Sequence, residues 1–324
     1  MLFQRGLLAV VLGAAVASQA VSEESNAVGS ADSYPDRPVT LVVPYPPGGP
    51  NDAIARTVAP ELASVLGVSV VIENKPGAAG NIGATAVARA RPDGYTLALP
   101  GAAIAINTVI FDNTPYRLSD IRPVGMVAQG PIVAVAHPSL GVKTLDELLE
   151  QARTRPGEIA FPSGGRGTSP HLAGELLKIR AGVDLLHVPY KGTGEFMPDL
   201  LAGRVPLAFV SPLIVRQHVE AGTLIPLATT GQARLRGWES LPTVSETGVE
   251  DYEVSPWYAV VAPAQTPDAI IEKLNEALQQ ALRSESVQAK LVSLGLDALP
   301  GTADDAQRLI DQETTTWAAV PLAY

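Results

Sequence analysis

Few side chains in this sequence stand where covalent chemistry would need them. Ser163 sits in Pro-Ser-Gly-Gly, not at the centre of the G-x-S-x-G turn that exposes a nucleophilic serine. His171 is near it in sequence, so a Ser163/His171 pair is available only if the fold builds it. His137, His171, His187 and His218 are scattered without an H-E-x-x-H spacing, and there is no cysteine, so zinc-type and thiol chemistry lack their ligands. Lys191, after Tyr190, would form a Schiff base only if desolvated; a solvated or ligand-facing lysine is the simpler account. The run SGGRGTS lacks the G-K-[ST] ending of a phosphate loop, and Gly77 to Gly83 has the wrong glycine spacing for a dinucleotide fingerprint. No catalytic residue, metal or cofactor is expected.

The backbone offers more. Three stretches, Pro44 to Asp52, Asn74 to Asn81 and Phe161 to Ser169, each follow an apolar run and lead into a helix-like pattern. A strand, a Gly/Pro loop and a helix start leave N–H groups aimed outward at a partly positive helix end. An adjacent anion gains about 0.3–1 kcal/mol per exposed terminus and up to about 2 where partly buried. Any α/β protein carries such loops at its strand ends, so one would mean little. Three of them, rich in Gly, Pro and small polar residues, point to anion recognition. Arg166 and the hydroxyls of Ser163, Thr168 and Ser169 can add charge-assisted contacts.

The elements that must position these loops alternate. Val39 to Val43 reads as a strand, Ala53 to Leu66 as an amphipathic helix kinked at Pro60, and Val68 to Glu73 as a second, buried strand. Asn81 to Arg89 is helical and Tyr95 to Leu99 a third strand. A second block begins after Gln129-Gly130 with a strand over Ile132 to Ala136, and Thr144 to Glu147 forms a capping box. Ile159 to Phe161 is a short strand. The helix after it takes Ser169 as N-cap and Pro170 at its first position. Leu185 to Val188, Val205 to Val210 and Leu224 to Thr229 are strands, with a helix over Pro212 to Glu220. From Tyr258 to Ala262 comes one more strand, and then helices opened by Thr266 and Thr302. Alternation of this kind predicts parallel connections, with the helical tail packing back on an earlier sheet.

With 324 residues, 46% hydrophobic and 17% charged, the chain can build two ordinary domains. A net charge of −10 argues against nucleic acid or an anionic membrane as partner. Arg5, the apolar run GLLAVVLGAAVA and the small residues Ser18-Gln19-Ala20 read as a signal peptide over 1–20, too short to span a membrane. A flexible polar segment, 21–33, follows.

At the loops the sequence is similar to a known family. YPDRPVTLVVPYPPGGPNDAIAR, VVIENKPGAAGNIGA, PDGYTLAL, HPSLGVKTLDEL, SGGRGTSPHLAGE, VPYKG and LPTVSETG resemble the substrate-binding proteins of tripartite tricarboxylate transporters, the Bug family, from Tyr34 to about Trp317. The resemblance implies a type II periplasmic-binding-protein fold: two α/β domains around a ligand cleft, joined by a strand hinge. The expected division is 34–129 with 255–324 for the first domain and 130–254 for the second. It further implies a monomeric periplasmic receptor that closes on a small organic carboxylate and delivers it to integral-membrane permease subunits. By the same resemblance Tyr45, Pro47, Gly48 and Gly49 hold one carboxylate through backbone groups and ordered waters. Ala79, Gly80 and Asn81 lie beside them, and Ser163, Arg166, Thr168, Ser169 and Tyr190 face them from the other domain. Many relatives carry Asp after the Phe of the strand matching Val205 to Val210. Here Phe209 is followed by Val210 and Ser211, which removes an acceptor for an ammonium group, while Arg166 points to a second acid group on the ligand. Two other outputs fit the sequence: a carboxylate sensor presenting its closed form to a sensor kinase, and a serine hydrolase using Ser163 and His171.

Overall fold

The computed structural model describes residues 33–322. The signal peptide and nearly all of the segment expected to be flexible lie outside the described residues. Among those described, no helix is long and apolar enough to cross a membrane.

The chain builds two α/β lobes. The first holds a six-stranded sheet whose order is β11 (Asp297–Ala298), β4 (Ile121–Gln129), β10 (Trp257–Pro263), β3 (Thr96–Ala98), β1 (Val39–Val43) and β2 (Val70–Asn74). β1 pairs in parallel with both β2 and β3, as strand–helix alternation predicts, whereas β10 runs antiparallel to β3 and β4. Helix α1 (Pro50–Leu66) covers one face together with α8 (Asp268–Leu282) and α9 (Glu285–Ser293). There Leu41, Ile54, Leu62, Leu97, Leu274 and Leu278 form a dry core. Full burial of each such side chain stabilises the fold by about 1.5–3 kcal/mol. The opposite face receives α2 (Asn81–Ala88), α3 (Ala103–Ile110) and α10 (Ala303–Ala318). The helical tail therefore does pack back on an earlier sheet, α10 lying against β4 and α3.

The second lobe has a three-stranded sheet, β8 (Leu207–Val210), β5 (Val133–Ala136) and β9 (Ile225–Thr229), and a parallel pair, β6 (Ala160–Ser163) and β7 (Leu186–Pro189). β5 is antiparallel to both neighbours. The expected parallel connection survives between β6 and β7, which pair directly across a crossover helix, and in the relation of β8 to β9, which flank β5 and are joined by α7 (Pro212–Glu220). The remaining helices are α4 (Leu145–Thr154), α5 (Ser169–Ala181) and α6 (Thr193–Leu201). Phe161 meets Phe209 edge-on at 6.0 Å between centroids, packing β6 beside β8.

Several local readings are corrected. β2 is an edge strand, with Val71 51% exposed, rather than buried. The N-cap of α5 is Thr168, which places Ser169 at the first helical position. Thr266 does not cap α8; its hydroxyl donates to the Pro263 carbonyl, and Pro267 takes the N-cap position. The Thr144 box is half made: its hydroxyl accepts from Glu147 N–H, but the Glu147 carboxylate accepts from Lys143 N–H, one residue earlier. Thr302 does open α10, with a reciprocal box to Asp305. Helices α3 and α6 and the long strand β4 carry no clean periodicity and were not foreseen.

The two crossings between lobes lie side by side. Gly130 N–H donates to Pro256 O at 3.0 Å. Beyond it, the wholly buried Thr230 bridges both segments: its hydroxyl accepts from Ile132 N–H (3.0 Å) and donates to Val254 O (2.6 Å).

Candidate functional site

The first loop turns sharply after β1. Asp52, in the first turn of α1 and 4% exposed, gathers it: one carboxylate oxygen accepts from Gly48 N–H (3.0 Å) and Arg56 Nε (2.9 Å), the other from Asn74 Nδ2 (3.0 Å). Asn74 also donates to Tyr45 O (3.1 Å), tying the loop to the edge strand. Burial alone would raise the Asp52 pKa; the hydrogen bonds from Arg56, Gly48 and Asn74 outweigh it and hold the carboxyl below the usual range. The Gly48 N–H thus faces Asp52, inside the loop.

The second loop is unusual in its backbone. Gly77, Ala78, Ala79 and Gly80 all have positive φ (129°, 49°, 53° and 94°). For alanine this costs about 1–2 kcal/mol per residue, so the surroundings must hold it. They do so through the Ala79 carbonyl, which accepts from Asn107 Nδ2 (3.2 Å) and the Tyr45 hydroxyl (3.4 Å). A Cβ at Gly80 would come 3.0 Å from that hydroxyl, and one at Gly83 would come 2.6 Å from Pro44 Cβ. The glycines thus let α2 press against the first loop.

The third loop is organised from beneath by two histidines. Ser163, with no exposed surface, pairs its hydroxyl with His187 Nε2 at 2.7 Å and accepts from Gly165 N–H at 3.0 Å. His171 Nδ1 accepts from Gly167 N–H at 3.2 Å, and the two rings meet edge-on at 4.4 Å. Burial, then the neighbouring His187, Arg166 and Lys178, push His171 down to about 3. Burial, then Arg166 and Lys178, push His187 down to about 4. The hydrolase pairing is thus recast. The histidine that meets Ser163 is His187, and the serine has no surface to offer a substrate.

Between the lobes lies a cavity of about 320 Å³. Of the expected residues, Tyr45, Pro47, Gly49, Thr168 and Ser169 line it. Ala79, Gly80, Asn81, Arg166 and Tyr190 line a neighbouring cavity of about 420 Å³, which shares Tyr45, Gly164 and Lys191 with the first. Gly48 and Ser163 line neither. The Tyr190 hydroxyl donates to Asp199 at 2.8 Å.

The main cavity is also bordered by residues the sequence did not single out. Gly101 to Ala103 lead into α3, Gly192 to Gly194 into α6, and Ser211 into α7. Among the described residues, the starts of α1, α3, α5, α6 and α7 all border this space, and none has a side-chain N-cap hydrogen bond. By contrast α4 and α10, which start elsewhere, are capped by Thr144 and Thr302. The pattern is not exclusive, since α8 and α9 are also uncapped. Each helix start carries about half a positive charge and N–H groups without intrahelical partners. One signal for α6 was present: Gly192 with Glu195 three places on is an N-cap spacing, and Glu195 does accept from Lys191 N–H at 2.6 Å.

Across the cavity the lobes touch. A Cβ on Gly165 would lie 3.4 Å from Ala79 Cβ, one on Gly192 3.2 Å from Pro46 Cγ, and one on Gly167 only 2.0 Å from Asn107 Oδ1. The glycines thus let the two lobes approach closely across the cleft.

The geometry agrees with what the chain is similar to. The model of the tripartite tricarboxylate transporter family receptor matches residues 54–321. Protein BugT of Bordetella pertussis is 37% identical over 316 residues, covering 97% of this chain and 96% of that protein. The periplasmic binding protein BugD is 35% identical with a TM-score of 0.83, covering 88% of this chain and 96% of its own. An R. palustris protein solved with adipate is 36% identical with a TM-score of 0.84 and the same coverage. Fold, cleft and sequence together make this chain a member of the tripartite tricarboxylate transporter receptor family, a periplasmic-type solute-binding protein of the Bug group.

Proposed function

We propose that this protein captures a small organic carboxylate in the cavity between its lobes, in the periplasm, and presents it to the membrane permease of a tripartite transporter. The observation that carries the reading is the convergence of five helix N-termini on one interlobe space. Such an arrangement attracts an anion through backbone dipoles despite a net charge of −10, because the attraction is local. The adipate held by the R. palustris protein supports a carboxylate as ligand class. Gly49, Asn51, Thr168, Ser169 and Thr193 are the groups we assign to the carboxylate, with the Tyr45 ring as an uncharged wall beside them. Residues 34–129 with 255–324, and 130–254, move as two bodies about the crossings at Gly130 and Ser255. Ligand binding shifts the balance toward the closed form.

A thermal-shift screen tests this. At a hundredfold excess over Kd a true ligand stabilises the fold by about 2.7 kcal/mol. Carboxylates should raise the melting temperature while the corresponding amides, sugars and amines do not. A sugar or amine that stabilised the protein while every acid failed would overturn the assignment.

A further inference from the structure

Two side chains in the first lobe's wall of the main cavity carry polar atoms that the protein leaves unserved. Asn51, at the second position of α1 and 8% exposed, donates from Nδ2 to the Leu99 carbonyl at 3.3 Å. Only the N–H₂ end of the amide can face that carbonyl, so the other end, Oδ1, is fixed as an acceptor. Tyr258, at the second position of β10 and 7% exposed, brings a phenolic hydroxyl that can both donate and accept. Burial pushes its pKa up from the ordinary value, so the group stays neutral. Among the described residues neither Asn51 Oδ1 nor the Tyr258 hydroxyl has a hydrogen-bond partner. Neither belongs to the polar atoms sealed from solvent, and this cavity is the one both residues line. The two side chains are neighbours: a Cβ on Gly101 would lie 3.8 Å from Asn51 Nδ2 and 3.7 Å from Tyr258 Cε1. Gly101 forms an antiparallel bridge with Tyr258, and β10 shifts register against β4 immediately after it. Irregularities of this kind re-aim side chains beside binding sites.

From this we infer that the captured carboxylate carries a hydroxyl on the carbon beside its carboxylate, and that Asn51 and Tyr258 select that hydroxyl. The inference rests on the carboxylate reading above and adds to it. A hydroxyl has one proton to give and lone pairs to receive. Tyr258 O–H donates to its oxygen, and its own proton goes to Asn51 Oδ1. Asn51 also belongs to the first turn of α1, whose start we assign to the carboxylate, so acid and hydroxyl occupy neighbouring carbons. A carboxylate oxygen cannot serve Oδ1, since both are acceptors. An ammonium group could donate to it, but would bring positive charge to helix starts that are already partly positive. A ligand with only hydrogen on that carbon covers both polar atoms without pairing them, which costs affinity. The rule holds whatever the rest of the ligand carries, a second carboxylate included.

The test uses matched ligands on the unmodified protein, lacking only residues 1–20, and on its Tyr258→Phe variant. Isothermal titration compares 2-hydroxybutyrate with butyrate, malate with succinate, and mandelate with phenylacetate, each pair differing by the one hydroxyl. The amine 2-aminobutyrate and the amide 2-hydroxybutyramide complete the set. In the pair that binds tightest, the hydroxy acid should bind about tenfold or more tighter than its deoxy partner. Tyr258→Phe should bring that ratio down to about threefold or less, and 2-aminobutyrate should bind more weakly than 2-hydroxybutyrate. A deoxy acid equal to its hydroxy acid in that pair, a ratio kept by Tyr258→Phe, or an amine that binds tighter overturns the inference while leaving the carboxylate reading intact. Equal binding of 2-hydroxybutyrate and its amide, or no binding by any acid, overturns both.

Discussion

Acid should loosen this protein well above the pH at which its carboxylates protonate, because two histidines are held neutral beneath the third loop. His171 is 2% exposed and stacked edge-on against His187. Burial first, then nearby positive charge, depresses them to about 3 and about 4, against about 6.5 in an unfolded chain. Between those limits the unfolded state binds more protons than the native state, so stability rises with pH. Their contribution is complete above about pH 6.5 and is lost as pH falls toward the native values. Each histidine supplies a slope of up to about 1.4 kcal/mol per pH unit, and the pair about 2.7. Between pH 7 and pH 5 the loss is about 4 kcal/mol, a large share of a typical 5–15. Other groups leave this window open. Asp52 is held below the usual carboxylate range, so its own loss comes at lower pH. Glu313 is raised by burial, so its protonation favours the native state as pH falls and works against the histidines.

Urea titrations followed by tryptophan fluorescence, from pH 7.5 to 5 at fixed ionic strength, measure this slope. His187→Gln keeps a polar partner for Ser163, and His171→Asn keeps an acceptor near Gly167; neither titrates. Each single variant should reduce the slope by about half, and the double variant should remove the rise of stability with pH between pH 5 and 6.5. If the double variant kept the parent's slope, or if the native imidazole resonances assigned to His171 and His187 titrated near 6.5, the account of these histidines would be wrong.

Other substitutions separate the loops' roles. Gly167→Ala places a methyl about 2.0 Å from Asn107 Oδ1, and Asn107 is pinned by Ala79 O and Asn81 Oδ1, so the lobes cannot close fully. Affinity for any carboxylate the parent binds should fall by about tenfold or more, and small-angle scattering should show no contraction on adding ligand. Asp52→Asn sets an amide N–H₂ against Asn74 or against Gly48 and Arg56, leaving a buried donor unsatisfied; a loss of about 2–4 kcal/mol by chemical denaturation is expected. Carboxylates of every body should weaken together. Ser163→Ala breaks the His187 hydrogen bond inside the lobe and should cost about 1–3 kcal/mol, with carboxylate affinity within about threefold of the parent, because Ser163 lines neither cavity.

The strands and helices with clean periodicity were readable from the sequence, and so were the three loops, because Gly and Pro mark where a backbone must turn. What escaped was decided by tertiary contact. The α3 segment, Ala103 to Ile110, is apolar on nearly every side because it is buried between α10 and the second loop, so no face stands out. β4 contains Pro123 and Gly125, which argue against a central strand. Yet Gly125 sits where a Cβ would meet Asn275 Nδ2 at 2.6 Å, and the pairing to β10 shifts register nearby. At the site, residue type misled where commitment mattered. Gly48, Ser163 and Tyr190 look like ligand-facing groups, but each has its polar atom engaged by a partner that residue type alone does not announce: Asp52 four residues on, Asp199 nine residues on, and His187 on the neighbouring strand. The lining contributed by α3, α6 and α7 exists only once the lobes face each other.

Holding an anion with dipoles in place of a cation also shapes release. The helix starts are divided between the lobes, α1 and α3 on one side, α5, α6 and α7 on the other. On the proposed reading they act together in the closed form, in a space the lobes shield from bulk water. Opening withdraws one set and admits water to the other. The effective dielectric around the remaining dipoles rises from about 20 toward 80, and each interaction weakens about fourfold. A guanidinium or ammonium bonded to the carboxylate on one lobe would keep much of its hold after opening. On the proposed reading neither lobe alone would retain it, so the opening of the cleft and the departure of the ligand would become one event. A receptor that must surrender its cargo to a membrane partner gains from that coupling, since a partner need only stabilise the open lobes to empty the site.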